Sequence, residues 1–299
     1  MAKKQVLVVC GPTAVGKTEL SVRLAKKYNG EIISADSRQF FRGMNIGTAK
    51  PSAEEMDGIP HHFIDSLSVG DSYTAGNFEA DALRVIDDLF AKNKLPIIAG
   101  GSGLYIKAAM EGLDELPSDE NLRKEIEDYF EKNGLKALQH RLRKTDKEKY
   151  RAIDEKNHVR LIRAIEIAEL GGEKANRKAP TPRNFSPIYI ALNIPREELY
   201  SRIDARVDQM IAEGLEEEVR SLVQYSETQA LQTVGYREMF PYFEGERSRE
   251  TAINLIKRNT RRYAKRQLTW LRSVENIKWF HPVADLQAIF YHVEKATQE

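Results

Sequence analysis

The chain has 299 residues, 41% hydrophobic and 30% charged, a composition that supports a sizeable core and excludes a disordered chain. The net charge of +1 hides any local basic surface, so only the distribution of charge can speak for or against nucleic acid. A single cysteine, Cys10, excludes a disulfide framework and predicts a reducing, cytoplasmic setting; the N-terminal apolar run is too short to span a bilayer.

Gln5–Cys10 is a continuous apolar run bounded by Gly-Pro, the pattern of a strand buried on both faces of a parallel sheet. Residues 17–28 read as a helix with Leu20, Leu24 and Tyr28 on one stripe. Glu31–Ala35 and Leu95–Ala99 are further short apolar runs, and residues 77–92 between them carry helical spacing. This rhythm predicts an α/β fold: a P-loop NTPase-like core with a parallel sheet flanked by helices, its ligands beyond the C-terminal strand ends. Gly11, Asp36 and Gly100 stand at those ends. From 118 to 171 the texture turns charged and helical, 171–185 reads as a Gly/Pro/Asn-rich loop, and Ile188–Ile194 looks like a return to the sheet. The expected organisation is 1–119 as the first part of the core, 120–185 as an inserted all-helical subdomain, and 186–299 as core completion with basic C-terminal helices.

Gly11-Pro12-Thr13-Ala14-Val15-Gly16-Lys17-Thr18 matches the phosphate-binding P-loop, and it follows a strand and precedes a helix. Backbone N–H groups and a helix N-terminus then face phosphate oxygens, Lys17 adds a point charge, and the Thr18 hydroxyl suits Mg²⁺. Nothing in the loop says that the phosphate belongs to a nucleotide. The Leu95–Ala99 strand ends in Gly100-Gly101-Ser102-Gly103 with no carboxylate, a first hint against ATP chemistry. Asp36 suits a metal ligand, a proton acceptor or a helix cap, and Ser102 suits plain turn chemistry. Cys10 reads as packing. His61 and His62 are adjacent, so their side chains diverge, and no third ligand stands at metal spacing.

The stretch Lys257–Arg272 contains Lys257, Arg258, Arg261, Arg262, Lys265, Arg266 and Arg272 with no acidic residue. On a helix Arg258, Arg262 and Arg266 form one row, the footprint of phosphate-backbone contact unless Glu216–Glu218 neutralise it. Arg160 and Arg163 lie on a second basic helix whose Leu161, Ile165 and Ala168 make an apolar face.

Taken together, GPTAVGKT at 11–18, SADSRQFFRGMNIGTAKP at 34–51, GGSGLYIKA at 100–108, VRLIRAIEI at 159–167, VGYREM at 234–239 and YAKRQLTWLR at 263–272 resemble the tRNA dimethylallyltransferases, in family order. The resemblance implies that the P-loop holds the diphosphate of dimethylallyl diphosphate, with Mg²⁺ at Thr18. It implies transfer of the dimethylallyl group to the exocyclic amine of the adenine 3′ of the anticodon, in tRNAs reading codons that begin with U. Asp36 then resembles the family's general base, and Ser102 stands where most members carry Thr. The anticodon stem-loop is expected to meet Asp36, Ser37, Arg38, Gln39 and Ser102, with Arg123, Val159, Arg160, Leu161, Ile162 and Arg163 of the helical insertion. Arg237, Lys265 and Arg266 complete that surface, with Gln232 standing where some members carry Arg. The chain ends without the zinc-finger extension of eukaryotic relatives, so the likeness is to the bacterial type, expected as a monomer with no membrane partner.

Overall fold

A computed structural model describes residues 4–114, 116–171 and 181–298; the part of the expected 171–185 loop at 172–180 lies outside the described residues. In chain order the elements are β1 Lys4–Cys10, α1 Lys17–Lys27, β2 Gly30–Ala35, α2 Ala53–Met56, β3 His61–His62, α3 Ala75–Ala91, β4 Leu95–Gly100 and α4 Gly103–Glu111. Next come α5 Glu120–Thr145, α6 Lys147–Ala152, α7 His158–Glu169, β5 Phe185–Leu192, α8 Arg196–Ala212, α9 Leu215–Ser221, α10 Phe240–Phe243, α11 Arg249–Leu271, β6 Lys278–Phe280 and α12 Leu286–Gln298.

The strands form one parallel sheet in the order β3-β2-β4-β1-β5-β6. β1 lies between β4 and β5, so the sheet order reverses beside it and a crevice opens beyond its C-terminal end. Alternate β1 residues feed the two faces: Val6, Val8 and Cys10 join one apolar cluster, Leu7 and Val9 the other. This two-sided burial is why the strand is an unbroken apolar run rather than an alternating one. β5 begins at Phe185, earlier than the apolar run at 188 announced. Ser186-Pro187 interrupts the hydrophobic pattern, yet the register Lys4↔Phe185 through Cys10↔Ala191 carries through it.

The chain divides into two compact units: Met1–Glu111 with Arg183–Glu299, and Gly112–Pro182. The second unit takes in most of the stretch expected as a helical subdomain at 120–185, but it begins at Gly112, and Arg183 onward belongs to the first unit. Its core is built by Ile126, Leu138, Leu142, Leu161 and Ile165. α5 is broken at Gly134, whose φ of 74° departs from helical geometry. Side-chain caps start several helices: Thr74 accepts from the Asn77 N–H at α3, Asn157 from Arg160 at α7, and Ser248 from Thr251 at α11. Among the described residues no helix is long and apolar enough to cross a membrane.

Candidate active site

The P-loop runs straight from β1 into α1. Gly16 occupies the N-cap of α1 with φ 98°, a left-handed conformation that suits glycine, and makes no side-chain cap bond. The first N–H groups of α1 are thereby left to face a ligand. Ala14 also sits at positive φ, 65°, where a non-glycine residue is strained, as binding loops often are. The Lys17 Nζ folds back to donate to the Pro12 carbonyl at 2.8 Å. Enclosure in the cleft lowers the Lys17 pKa to about 8; Asp36 pulls it up and Arg206 pushes it further down.

Asp36 follows the last residue of β2. Burial raises its carboxyl above the usual carboxylate range, against the pull of the Arg38 backbone N–H, which donates to Asp36 Oδ1 at 3.0 Å, and of the Lys17 charge. The helix-cap alternative is not realised, because no helix begins there. Ser102 stands on the turn after β4 and reaches the same place. Its Oγ accepts the Ser37 N–H at 3.1 Å and lies 3.4 Å from the Ser37 hydroxyl. Tyr263 of α11 lies beside Ser102; burial lifts its phenol pKa to about 12, reinforced by the nearby Asp36 charge.

Two clefts meet at Asp36. One, of about 630 Å³, is lined by residues 13–19, Asp36 and Arg206. The other, of about 170 Å³, is lined by Asp36, Ser37, Arg38 and Tyr263 together with apolar Ile203, Val207 and Ile256. The second joins an apolar wall to a few polar groups, the combination that orients a small ligand. One cleft thus offers cations and loop N–H groups, the other offers an apolar and aromatic wall, and a single carboxylate serves both. A metal fits only in a limited way. Among the described residues no three His, Cys, Asp or Glu side chains cluster. Thr18 supplies one hard oxygen in the cationic cleft, which suits Mg²⁺, because that ion takes most of its ligands from phosphate and water. His62 instead meets Glu31 at 2.7 Å and His61 the Ile59 carbonyl at 2.8 Å, so both histidines serve the sheet edge.

The remaining expected site residues divide into free and engaged groups. Arg38 lines the apolar cleft while donating to the Gln229 carbonyl at 2.7 Å. Gln39 spans from Ser34 to the Thr48 and Ala49 carbonyls, holding the loop that borders both clefts. Within the basic stretch from Lys257, now part of α11, Glu216–Glu218 are not the neutralising partners; Glu216 pairs instead with Arg249 at the start of the helix, at 2.8 Å. Lys257 pairs with Asp208 and Arg261 with Asp204, both acids lying on α8, while Glu218 accepts the N–H groups of Asn45, Ile46 and Gly47. Arg262, Lys265 and Arg266 are exposed and have no ion pair among the described residues; the Arg266 guanidinium lies 5.6 Å from the Tyr263 ring centre. Arg237 is exposed and bonds to Glu238, and exposed Gln232 donates to the Ser226 carbonyl.

Within the helical unit, Arg123 and Arg163 both grip the fully buried Glu166, at 3.0 Å and 2.7 Å. Val159 and Arg160 are exposed. Leu161 and Ile162 are packed in the unit's core, at 0% and 6% exposure, so their side chains hold the helix rather than offer a contact.

Two contributors had weak signals in the sequence. Arg206 lies among Ile203, Val207 and Met210 on α8 and lines both clefts, yet an arginine on an amphipathic helix has no motif to mark it. Gln267 bonds to both the P-loop and the β4 turn. It sits inside the distinctive YAKRQLTWLR stretch, where the cations on either side drew the reading.

The profile of the IPP transferase family matches residues 39–274. A tRNA dimethylallyltransferase of Cytophaga hutchinsonii is 48% identical over 99% of this chain and 98% of its own length. One from Halalkalibacterium halodurans is 44% identical over 93% and 91%. The crystal structure of the tRNA isopentenylpyrophosphate transferase of Bacillus halodurans aligns with a TM-score of 0.73 at 42% identity, covering 98% of this chain and 96% of that one. A eukaryotic dimethylallyltransferase caught acting on tRNA aligns with a TM-score of 0.77 at 26% identity, covering 98% of this chain and 77% of that one. Matched by the family profile over residues 39–274 and by relatives along nearly its whole length, the chain belongs to the IPP transferase family of tRNA dimethylallyltransferases.

Proposed function

We propose that the protein transfers the dimethylallyl group of dimethylallyl diphosphate to the exocyclic amine of the adenine 3′-adjacent to the anticodon, in tRNAs reading codons that begin with U, and releases pyrophosphate. The observation that carries this reading is the position of Asp36, shared between the cationic P-loop cleft and the part-apolar cleft beside Tyr263. The diphosphate lies against the loop N–H groups, Lys17 and Arg206. The prenyl tail and the adenine share the other cleft. The adenine leaves the anticodon stack to reach it, as bases modified in this way must.

The bond between the allylic carbon and the diphosphate oxygen breaks, its electron pair leaving with pyrophosphate, while the amine nitrogen bonds to that carbon. Lys17 and Arg206 stabilise the charge gathering on the leaving group, where preorganised cations act most strongly. The amine is a weak base at the start but becomes acidic as its new bond forms, and its proton passes to Asp36. The raised Asp36 pKa makes that carboxylate a better acceptor than an ordinary one. Ser102, tied to Ser37, steadies the diphosphate end near the reacting carbon. Thr18 is the residue that would hold Mg²⁺, which when bound adds positive charge against the diphosphate.

Arg262, Lys265 and Arg266 supply free charge for RNA phosphates, with Arg237 and the exposed Val159 and Arg160 as further contacts. Labelled dimethylallyl diphosphate with Mg²⁺ is offered unmodified tRNA, AMP or neither. Label should enter tRNA alone; label in AMP, or a requirement for ATP, would replace this reading with free-nucleotide prenylation or phosphoryl transfer.

A further inference from the structure

Gln267 is buried, 7% exposed, on the face of α11 opposite its free cations. Its Oε1 accepts the Thr13 backbone N–H at 2.9 Å, and its Nε2 donates to the Gly101 carbonyl at 3.0 Å. One partner is a donor and the other an acceptor, so the amide has one orientation, and only a side chain that both accepts and donates can replace it. The contact is tight: a Cβ on Gly101 would lie 2.1 Å from that Nε2. One turn along, the Trp270 ring comes within 2.3 Å of where a Cβ on Gly103 would stand. Tyr263, one turn the other way, lines the cleft beside Asp36 and Ser37, next to Ser102. Gln267 and Trp270, on one helical stripe with Tyr263, are therefore pressed on residues 101–103, and Gln267 extends the contact to the P-loop.

We propose that Gln267 is a positioning residue: its amide sets the register between the P-loop and the Ser102 turn, so that the loop's N–H groups and the Ser102 hydroxyl converge on one diphosphate, without Gln267 itself touching the substrates. The proposal rests on the prenyl-transfer reading above. A shift of one loop against the other leaves each half of the grip intact but misaligns the reacting carbon, and misplacements of this size lower rates steeply. Diphosphate binding and RNA docking on the outer α11 face should suffer much less than turnover.

The test uses the full chain with Gln267→Met and Gln267→Glu, in single-turnover assays with tRNA and dimethylallyl diphosphate, alongside direct tRNA binding. Gln267→Met removes both bonds and should lower the transfer rate about 10–100-fold, with tRNA affinity changed by less than about threefold. Gln267→Glu separates the two bonds. As a carboxylate it still accepts from Thr13 but repels the Gly101 carbonyl; protonated, it donates as the amide does. Its rate relative to the unsubstituted protein should therefore climb as pH falls, a response that a general loss of folding would not give. A Gln267→Met rate within about twofold of the parent, or a pH-independent Gln267→Glu ratio, overturns the proposal. If the parent itself transfers nothing to tRNA, the prenyl-transfer reading fails first and takes this inference with it.

Discussion

Replacing Lys17 by methionine should make the ligand-free protein more stable while weakening its hold on diphosphate. The pKa of Lys17 is lowered from 10.5 to about 8, chiefly because the cleft strips water from its charge. A shift of that size corresponds to about 3 kcal/mol of strain in the folded state, at roughly 1.4 kcal/mol per pKa unit. The uncharged methionine side chain would escape that strain but lose the bond to Pro12, worth about 1 kcal/mol. A net gain of about 2 kcal/mol remains, or roughly 4 °C in Tm for a chain of this size. The folded pKa lies below the unfolded one, so the destabilisation is complete below about pH 8 and fades as pH rises toward 10.5. Melting curves of parent and Lys17→Met proteins from neutral pH upward should therefore show a gap that closes with pH. Diphosphate affinity of the parent should fall as pH climbs past about 8, because the anion selects the charged lysine. A variant less stable than the parent at neutral pH, or a gap flat with pH, refutes the argument.

Asp36→Asn keeps the shape and the Arg38 N–H contact but removes the proton acceptor. Transfer should slow by about 10²–10⁴-fold with diphosphate affinity nearly unchanged, measured by single turnover and by ligand binding. Because burial raises the Asp36 pKa, the acid limb of the parent's rate profile should fall away above the ordinary carboxylate range and vanish in the variant. Combined alanine substitution of Arg262, Lys265 and Arg266 should flatten the salt dependence of tRNA binding by a slope of about 2–3 while leaving diphosphate binding intact. Gly103→Ala would drive a methyl into the Trp270 ring and should cost about 1–3 kcal/mol in denaturant unfolding.

The sheet core was legible because its strands are buried on both faces and so write themselves as apolar runs. The P-loop was legible because its motif is local. Asp36 and Ser102 were legible as strand-end residues, though local sequence left their roles open; their convergence follows from the adjacency of β2 and β4, paired through Ala35↔Gly100. What did not show is long-range. Gln267 meets Thr13 across 254 residues and Glu218 holds Gly47 across 171, and nothing in the local pattern of either partner announces the other. The two faces of the basic helix were equally hidden. Charge spacing put Arg261 beside Arg262, but only the packing of α8 against α11 decides that Arg261 meets Asp204 while Arg262 stays free. In the helical unit, the spacing of Arg123 and Arg163 did not announce that both hold the buried Glu166.

The most direct measurement of the central claim is nucleoside mapping. Unmodified tRNA reading a U-starting codon, treated with the protein, dimethylallyl diphosphate and Mg²⁺, is digested and analysed by mass spectrometry. The account predicts one dimethylallyl group, on the exocyclic nitrogen of the adenine just 3′ of the anticodon, and none with the Asp36→Asn protein. A prenyl group elsewhere in the tRNA, or an unmodified tRNA, contradicts it.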